Sequence, residues 1–264
     1  MKVKPKKHLG QHFLTDKNIA RKIALSLQNN NYDTIVEIGP GMGILTRFLL
    51  NEQNKTLFVI EIDAEAVEYL KKKFPQLKNR IIKDDFLKID LKKTFQNKPV
   101  GITGNFPYNI STQIVFKVLD NKELVPEFTG MFQKEVSERI TASYGNKTYG
   151  ILSVLVQTYY DTQYLFTVPE QVFSPPPKVK SGVIRLVRKQ NTPDIDYDFF
   201  KKVVKTAFNQ RRKTLRNSLK SYNLSEDLKL ARIFAKRPEQ LSPKEFVELA
   251  QMIKNDATGT YTSH

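Results

Sequence analysis

Asn105, Phe106, Pro107 and Tyr108 follow Gly104 in succession, and together they suit one kind of nucleophile. An amine attached to a purine ring attacks poorly, because its lone pair is delocalised into the ring. Two acceptors, the side-chain oxygen of Asn105 and the backbone carbonyl of Phe106, are placed to hold its two N–H bonds and favour a more tetrahedral nitrogen. Pro107 fixes the loop so that this carbonyl points outward. Tyr108 offers a face on which a base drawn out of its stack can rest. No strong general base is required, since the amine gives up its proton readily once it carries the new carbon. An Asn-x-Pro turn is also a common loop element, so these residues gain weight from the three motifs that precede them.

The first is Val36-Glu37-Ile38-Gly39-Pro40-Gly41-Met42-Gly43, between a β-rich run and a helical one. Glycines there let the backbone turn tightly against a ligand, and a helix start offers free N–H groups. A dinucleotide fingerprint needs a third glycine at position 44, where Ile44 stands. The spacing present, G-x-G-x-G, is that of S-adenosylmethionine sites, with a dinucleotide enzyme and a structural turn as the alternatives. The second is Glu61, 22 residues after Gly39 in Val59-Ile60-Glu61-Ile62-Asp63 and placed to accept from both ribose hydroxyls of an adenosine. That ribose is common to both cofactors. Asp63 reads as a cap for the helix that starts at Ala64. The third is Lys83-Asp84-Asp85-Phe86, where Asp85 is placed to bond an adenine amino group and an aromatic to pack on the base. A lone Asp-Asp pair would more often be a turn cap. Its weight comes from position, because all four motifs close successive strands, where open α/β sheets bind their ligands. Catalysis is then expected to be mainly positional: the amine is held in line with a sulfonium methyl, an effect of roughly 7–11 kcal/mol, in a desolvated pocket that favours loss of the sulfonium charge.

The elements that must position these residues alternate. Strands are expected over Thr34–Ile38, Leu57–Ile62, Arg80–Lys83, Val100–Gly104, Thr129–Gln133, Gln163–Val168 and Gly182–Val187. Helices are expected over Gly43–Leu50, Ala64–Phe74, Ser111–Leu119, Glu135–Ala142 and Ile151–Tyr160. Strands separated by single helices imply right-handed crossovers and a mostly parallel sheet. The order predicts an α/β domain over residues 1–189, a polar linker over 190–198 and a helical domain over 199–264. In the last, Phe199, Phe200, Val203, Val204, Ala207 and Phe208 form an apolar ribbon, and serines open the helices Ser225–Phe234 and Ser242–Ile253 as N-caps. The tail from Asp256 to His264 has no periodicity and is expected to fray.

Charge narrows the partner. Across 264 residues, 43 Lys and Arg face 27 Asp and Glu, a formal net charge of +16. Such a surplus points first to nucleic acid and second to an anionic membrane surface. It concentrates in Lys201–Lys220, which holds eight basic residues and no acid. Gln210-Arg211-Arg212-Lys213-Thr214-Leu215-Arg216-Asn217 is read as helical, with Arg212 and Arg216 on one face. A solvated cationic face is the plainer alternative. With no cysteine and only His8, His12 and His264, thiolate chemistry and Cys- or His-rich metal centres are excluded, so no metal is expected. Apolar runs such as Ile151–Val156 fall far short of the ~20 residues that cross a bilayer. The basic N-terminus lacks the apolar stretch of a signal peptide, and a cytoplasmic location is expected.

Five ordered segments resemble one family. Lys7-His8-Leu9-Gly10-Gln11-His12-Phe13-Leu14, Glu37–Gly41, Asn105-Phe106-Pro107-Tyr108-Asn109-Ile110-Ser111, Phe173-Ser174-Pro175-Pro176-Pro177-Lys178-Val179 and Gln210–Arg216 look like segments of bacterial small-subunit (16S) rRNA adenine N6,N6-dimethyltransferases, the kasugamycin-sensitivity dimethyladenosine transferases. The resemblance implies a Rossmann-like class I S-adenosylmethionine-dependent methyltransferase domain with a small all-α C-terminal domain. It implies dimethylation of two adjacent adenines in a hairpin near the 3′ end of small-subunit rRNA, on the 30S subunit or its precursor. Nothing in the sequence demands a dimer. Carried over by motif, His12, Leu14, Gly39, Gly41, Glu61, Asp85 and Asn105 would bind the cofactor, with Gly39 at its methionine part. Asn105, Phe106, Pro107 and Tyr108 would form the catalytic loop. Tyr108 and Phe173 would line the target-base pocket, and Lys178, Arg211, Arg212, Lys213 and Arg216 would meet RNA. His12 is often Asn in the family and Phe106 often Leu; both contribute backbone or packing in this reading, and His12 is not expected to be a base. The alternatives are the sister group that methylates large-subunit (23S) rRNA and confers macrolide resistance, an rRNA-binding assembly factor with methylation secondary, and, weakest, a dinucleotide oxidoreductase.

Overall fold

The structure, a computed structural model, describes residues 3–28, 31–52, 54–77 and 79–257. Those residues form two compact units. The first comprises the chain up to Glu138 together with Asp161–Arg188; the second comprises Arg139–Tyr160 and the chain from Lys189 onward.

The first unit is built on a sheet. A short strand β1 (Phe13–Leu14) and helix α1 (Lys17–Ala24) precede β2 (Thr34–Ile38), α2 (Thr46–Leu49), β3 (Thr56–Glu61), α3 (Ala64–Lys73), β4 (Ile81–Lys83) and α4 (Leu91–Thr94). Then follow β5 (Val100–Asn105), α5 (Ser111–Asp120), β6 (Glu127–Gln133) and α6 (Lys134–Thr141), which runs across the boundary between the units. Beyond α7 (Ile151–Tyr159) the chain forms β7 (Tyr160–Val168), β8 (Phe173–Ser174) and β9 (Ser181–Arg188). Seven strands pair in the order β4-β3-β2-β5-β6-β9-β7. The first five are parallel, and β9 runs antiparallel to β6. The expected mostly parallel sheet is therefore present. Its central strands are apolar on both faces, as a doubly covered sheet requires: Ile35, Val36, Val59, Val100, Ile102 and Phe128 are all buried. At the amino end of β6, buried Glu127 accepts from the Tyr32 hydroxyl at 2.6 Å and from Arg185 Nε at 2.6 Å, so its charge is paired as burial demands.

Register sets the functional edge. Ile38 lies opposite Ile60 on one side and Gly104 on the other, and Glu61 opposite Lys83. The carboxyl ends of β2, β3, β4 and β5 thus finish side by side, each carrying one of the motifs. A second, two-stranded sheet pairs β1 with β8, Phe13 opposite Ser174 and Leu14 opposite Phe173. Neither short strand is visible as a periodic run, because two residues cannot show an alternation.

The second unit is helical. After α7 come α8 (Tyr197–Asn209), α9 (Leu215–Ser218), α10 (Glu226–Leu230) and α11 (Pro243–Ala257). The predicted ribbon on α8 buries Phe200, Val203, Val204 and Ala207. Ser225 caps α10 through Leu228 N, and Ser242 forms a reciprocal box with Glu245. Three expectations change here. Residues Arg139–Tyr160 group with this unit rather than with residues 1–189, because α7 is apolar on nearly every side and packs on α8 and α11. The helix predicted over Ser225–Phe234 breaks at Ala231, whose ψ of 138° is extended, and resumes as a 3-10 turn over Arg232–Ala235. Asp256 and Ala257, expected to fray, instead close α11, while the rest of the predicted tail, from position 258, lies outside the described residues. Among the described residues, no helix is long and apolar enough to cross a membrane.

Candidate active site

A cavity of about 290 Å³ opens at the carboxyl ends of β2, β3, β4 and β5, lined by Gly39, Gly41, Glu61, Asp85 and the Asn105–Tyr108 loop. One further wall is His8–Phe13, the strap that leads into β1.

The glycine loop shapes the floor. Gly39 and Gly41 have φ of +64° and +53°, backbone that favours glycine. A Cβ at Gly41 would come within 2.8 Å of the Phe13 ring, so the strap lies directly on the loop. Gly43 is also left-handed, at φ +73°. This delays the helix expected from Gly43: residues 41–45 are turns and only Thr46–Leu49 is helical. The floor is therefore a run of turns and not a helix start.

Three acids line the cavity, Glu61, Asp84 and Asp85, and the first and last are the expected ones. Glu61 is buried, accepts from Gly41 N at 3.1 Å through Oε2 and from Asp63 N at 2.9 Å through Oε1, and has its pKa pushed up by burial. Both oxygens are thus held by backbone amides, with lone pairs remaining for a diol. Asp85 is half-buried and turns its own loop by accepting from Leu87 N at 3.0 Å. Ile62, next to Glu61, lines the cavity while 51% exposed, an apolar face beside an acid.

The Asn-x-Pro-Tyr loop is held from three sides. Phe106 is buried, stacked on Phe128 at 5.2 Å and tilted against Phe132 at 4.9 Å, which leaves its carbonyl as its functional group. Asn105 Nδ2 donates to the His12 carbonyl at 2.9 Å. A carbonyl can only accept, so the NH₂ faces the strap and Oδ1 occupies the other corner of the amide. Tyr108 shares a hydrogen bond of 2.7 Å with Ser181, and burial raises its pKa, which keeps the phenol neutral. The His12 ring stacks on it at 5.5 Å, and Nδ1 donates to the Pro175 carbonyl at 2.9 Å. That bond fixes the His12 proton on Nδ1.

Not every expected residue joins the cavity. Leu14 is buried in the core and lines a neighbouring cavity with Glu37, Met42 and Arg47. Phe173, opposite Leu14 on β8, is also core and does not line the cavity expected to receive the base. Its pairing with β1 turns the ring inward. Lys178 is exposed in the first unit. In the second, Arg212, Lys213 and Arg216 are exposed and Arg211 is half-buried. Arg212 and Arg216 do not share a helix face. α8 ends at Gln210 (ψ 55°), Lys213 N closes a turn on Gln210 O at 2.8 Å, and a new helix starts after Thr214.

Sequence reasoning missed Lys6, Gln11 and Phe13. Lys6 Nζ lies 2.6 Å from Asp63 Oδ1, and Gln11 Nε2 3.4 Å from Asp63 Oδ2. Partners 52 and 57 positions apart leave no local signal.

The family model for ribosomal RNA adenine dimethylase matches residues 2–255. The chain belongs to the ribosomal RNA adenine dimethylase family. It is 59% identical over 257 residues to a ribosomal RNA small subunit methyltransferase A of Flavobacterium johnsoniae, covering 97% of this chain and 98% of the relative. To a protein of the same name in Cytophaga hutchinsonii it is 58% identical over 255 residues, covering 96% and 98%. Among solved structures, a dimethyladenosine transferase from Plasmodium falciparum superposes with a TM-score of 0.79 at 25% identity, over 94% of this chain and 98% of that one. The 23S rRNA methyltransferase ErmE shares the fold, with a TM-score of 0.68 at 24% identity over 90% and 99%. The fold is accordingly the Rossmann-like one of class I methyltransferases, and the chain is an S-adenosylmethionine-dependent rRNA adenine dimethyltransferase.

The cavity suits that family's cofactor on its own terms. A buried acid with both oxygens oriented, a left-handed glycine turn and an exposed apolar side chain beside the acid together match a ribose, an extended amino-acid tail and a purine.

Proposed function

We propose that this chain dimethylates N6 of two adjacent adenines in a hairpin near the 3′ end of small-subunit rRNA, acting as a monomer on the 30S subunit or its precursor in the cytoplasm. The observation that carries the reading is the fixed Asn105 amide in the cavity wall. When bound, S-adenosylmethionine supplies a methyl group on a sulfonium.

Gly39 and Gly41 would receive its methionine portion, Glu61 the ribose hydroxyls and Asp85 the adenine amine. The target adenine leaves its stack and rests against Tyr108, whose hydroxyl is tied to Ser181. Asn105 Oδ1 and the Phe106 carbonyl accept the two N–H bonds of N6, localising the lone pair toward the methyl. A proton then leaves the alkylated nitrogen without a dedicated base. His12 donates from Nδ1 to the Pro175 carbonyl and stacks on Tyr108, and in this reading it serves as a wall of the pocket. Positioning of this kind contributes roughly 7–11 kcal/mol.

Lys178, Arg211, Arg212, Lys213 and Arg216 would meet phosphates. High identity to relatives named for the small subunit supports that subunit over the large one. The test is transfer of labelled methyl from S-adenosylmethionine to undermethylated small and large subunits, with primer extension and Asn105→Ala alongside. Stops at two adjacent adenines of small-subunit RNA, absent with the variant, are expected. Label confined to large-subunit RNA would move the chain to the resistance group, and label on neither would leave an RNA-binding assembly role.

A further inference from the structure

The strap, taken from Lys6 through His8–Phe13 to Leu14, touches the glycine loop, the Asn105 loop and Asp63. Phe13 lies on Gly41, and a Cβ at Gly10 would come within 2.6 Å of Asn109 Oδ1, so the strap packs against both catalytic loops without spare room. Its His12 carbonyl receives the Asn105 amide. One place ties it down by charge. Asp63, its side chain fully buried, accepts Lys6 Nζ at 2.6 Å on Oδ1 and Gln11 Nε2 at 3.4 Å on Oδ2. Lys6 also reaches Glu65 at 3.3 Å, and Gln11 Oε1 accepts from Lys6 N at 2.9 Å, closing a small ring within the strap. Through its own amide Asp63 donates to Glu61 Oε1 at 2.9 Å. The residue that holds the strap thus also holds the acid assigned to the ribose.

We propose that Asp63, with Lys6 and Gln11, is a latch that closes the N-terminal strap over bound S-adenosylmethionine, and that Asp63 is a positioning residue acting on Asn105 through the His12 carbonyl. The proposal rests on the assignment of the cofactor to this cavity. In this proposal the strap, one wall of the cavity, swings away when the cofactor leaves, and that movement removes the partner that sets the Asn105 amide. Cofactor retention and acceptor geometry are therefore linked through one carboxylate. A helix cap alone, the role that position suggests in the sequence, needs neither Lys6 nor Gln11: capping uses only the bond from Glu65 N to Oδ1 at 3.0 Å.

The test compares Lys6→Met, Lys6→Arg and Asp63→Asn with the unaltered protein. Asn keeps the cap while removing the charge. Two quantities are measured: release of labelled S-adenosylmethionine into excess unlabelled cofactor, and hydrogen exchange of the backbone amides of residues 8–13 with and without cofactor. Loss of a charge-assisted, partly exposed pair predicts release about tenfold faster in Lys6→Met and Asp63→Asn. Exchange of 8–13 should rise even without cofactor, Lys6→Arg should restore both, and the double variant should be no worse than either single one. Release and exchange that match the unaltered protein in Lys6→Met would overturn the latch. Failure of the unaltered protein to bind S-adenosylmethionine, or binding insensitive to Glu61→Ala, would overturn the cavity assignment and the latch's part in retention with it. That failure shows in the unaltered protein and in Glu61→Ala, so it is separable from a failed latch.

Discussion

The cavity at the strand ends and the basic segment of the second unit handle their ligands by opposite means. In the first, almost every functional atom is held by another: Glu61 by two amides, Asn105 by a carbonyl, Tyr108 by a serine, Phe106 by two rings. In the second, Arg212 and Lys213 project from a turn, exposed to solvent, and Arg216 is exposed on a four-residue helix with its Nε donating to the Lys229 carbonyl at 3.1 Å. Methyl transfer needs atoms placed to a fraction of an ångström, which only a rigid scaffold supplies. Phosphate contact needs charge density and tolerates motion. Variants in the two regions should therefore fail differently, one in rate and the other in salt-dependent affinity.

The largest effect is expected at Asn105. Asn105→Ala removes an acceptor for the amine and the bond to His12, so the single-turnover rate should fall by roughly 10²–10³, the cost of one preorganised transition-state partner. RNA binding measured by filter retention should stay within about twofold, since no phosphate contact is lost. A variant that loses RNA affinity instead of rate would erase the contrast between the two regions. Next comes Glu61→Ala, for which calorimetry should show S-adenosylmethionine affinity reduced by about ten- to a hundredfold, as expected when charge-assisted hydrogen bonds are removed. The rate at saturating cofactor should fall much less.

Arg212→Ala combined with Lys213→Ala tests the other side. KM for RNA should rise by about threefold to tenfold at moderate salt, and the slope of log affinity against log salt should shrink by about two, one for each phosphate contact. The rate at saturating RNA should not change. A salt slope equal to that of the unaltered protein would mean these side chains face solvent in the complex as they do alone.

What the sequence discloses follows the same division. Strand runs, the left-handed glycines and the acids at strand ends are local, so Gly39, Glu61, Asp85 and Asn105 could be placed from spacing and register logic alone, and the sheet brings them to one edge. The strap could not, because its bonds join residues tens of positions apart and its strand is two residues long. Leu14 and Phe173 look functional in a motif, yet they pair with each other in the core. The break between α8 and α9 was hidden as well: Gln210 leaves the helix without a proline or glycine to announce it. Nor could the sequence assign α7 to the helical unit, since an all-round apolar helix names no partner.

The smallest effect on turnover is expected at Glu37 on the cavity side, and it is read through pH rather than salt. Glu37 is buried in β2, accepts from Thr46 Oγ1 at 2.6 Å, and burial pushes its pKa up to about 8 against 4.5 for a free side chain. Between those values the folded chain keeps a proton that the unfolded chain releases. The stabilisation is therefore complete below the lower value and is lost as pH rises through the higher one. Glu37→Gln keeps the acceptor for Thr46 and mimics the protonated acid, so it should remove that part of the slope. Denaturant unfolding from acid to alkaline pH should show the variant losing less stability across the window and exceeding the unaltered protein by a few kcal/mol at about pH 9. Parallel curves for the two proteins would mean that Glu37 is ionised in the fold, and that its carboxylate finds a counter-charge the cavity wall does not display.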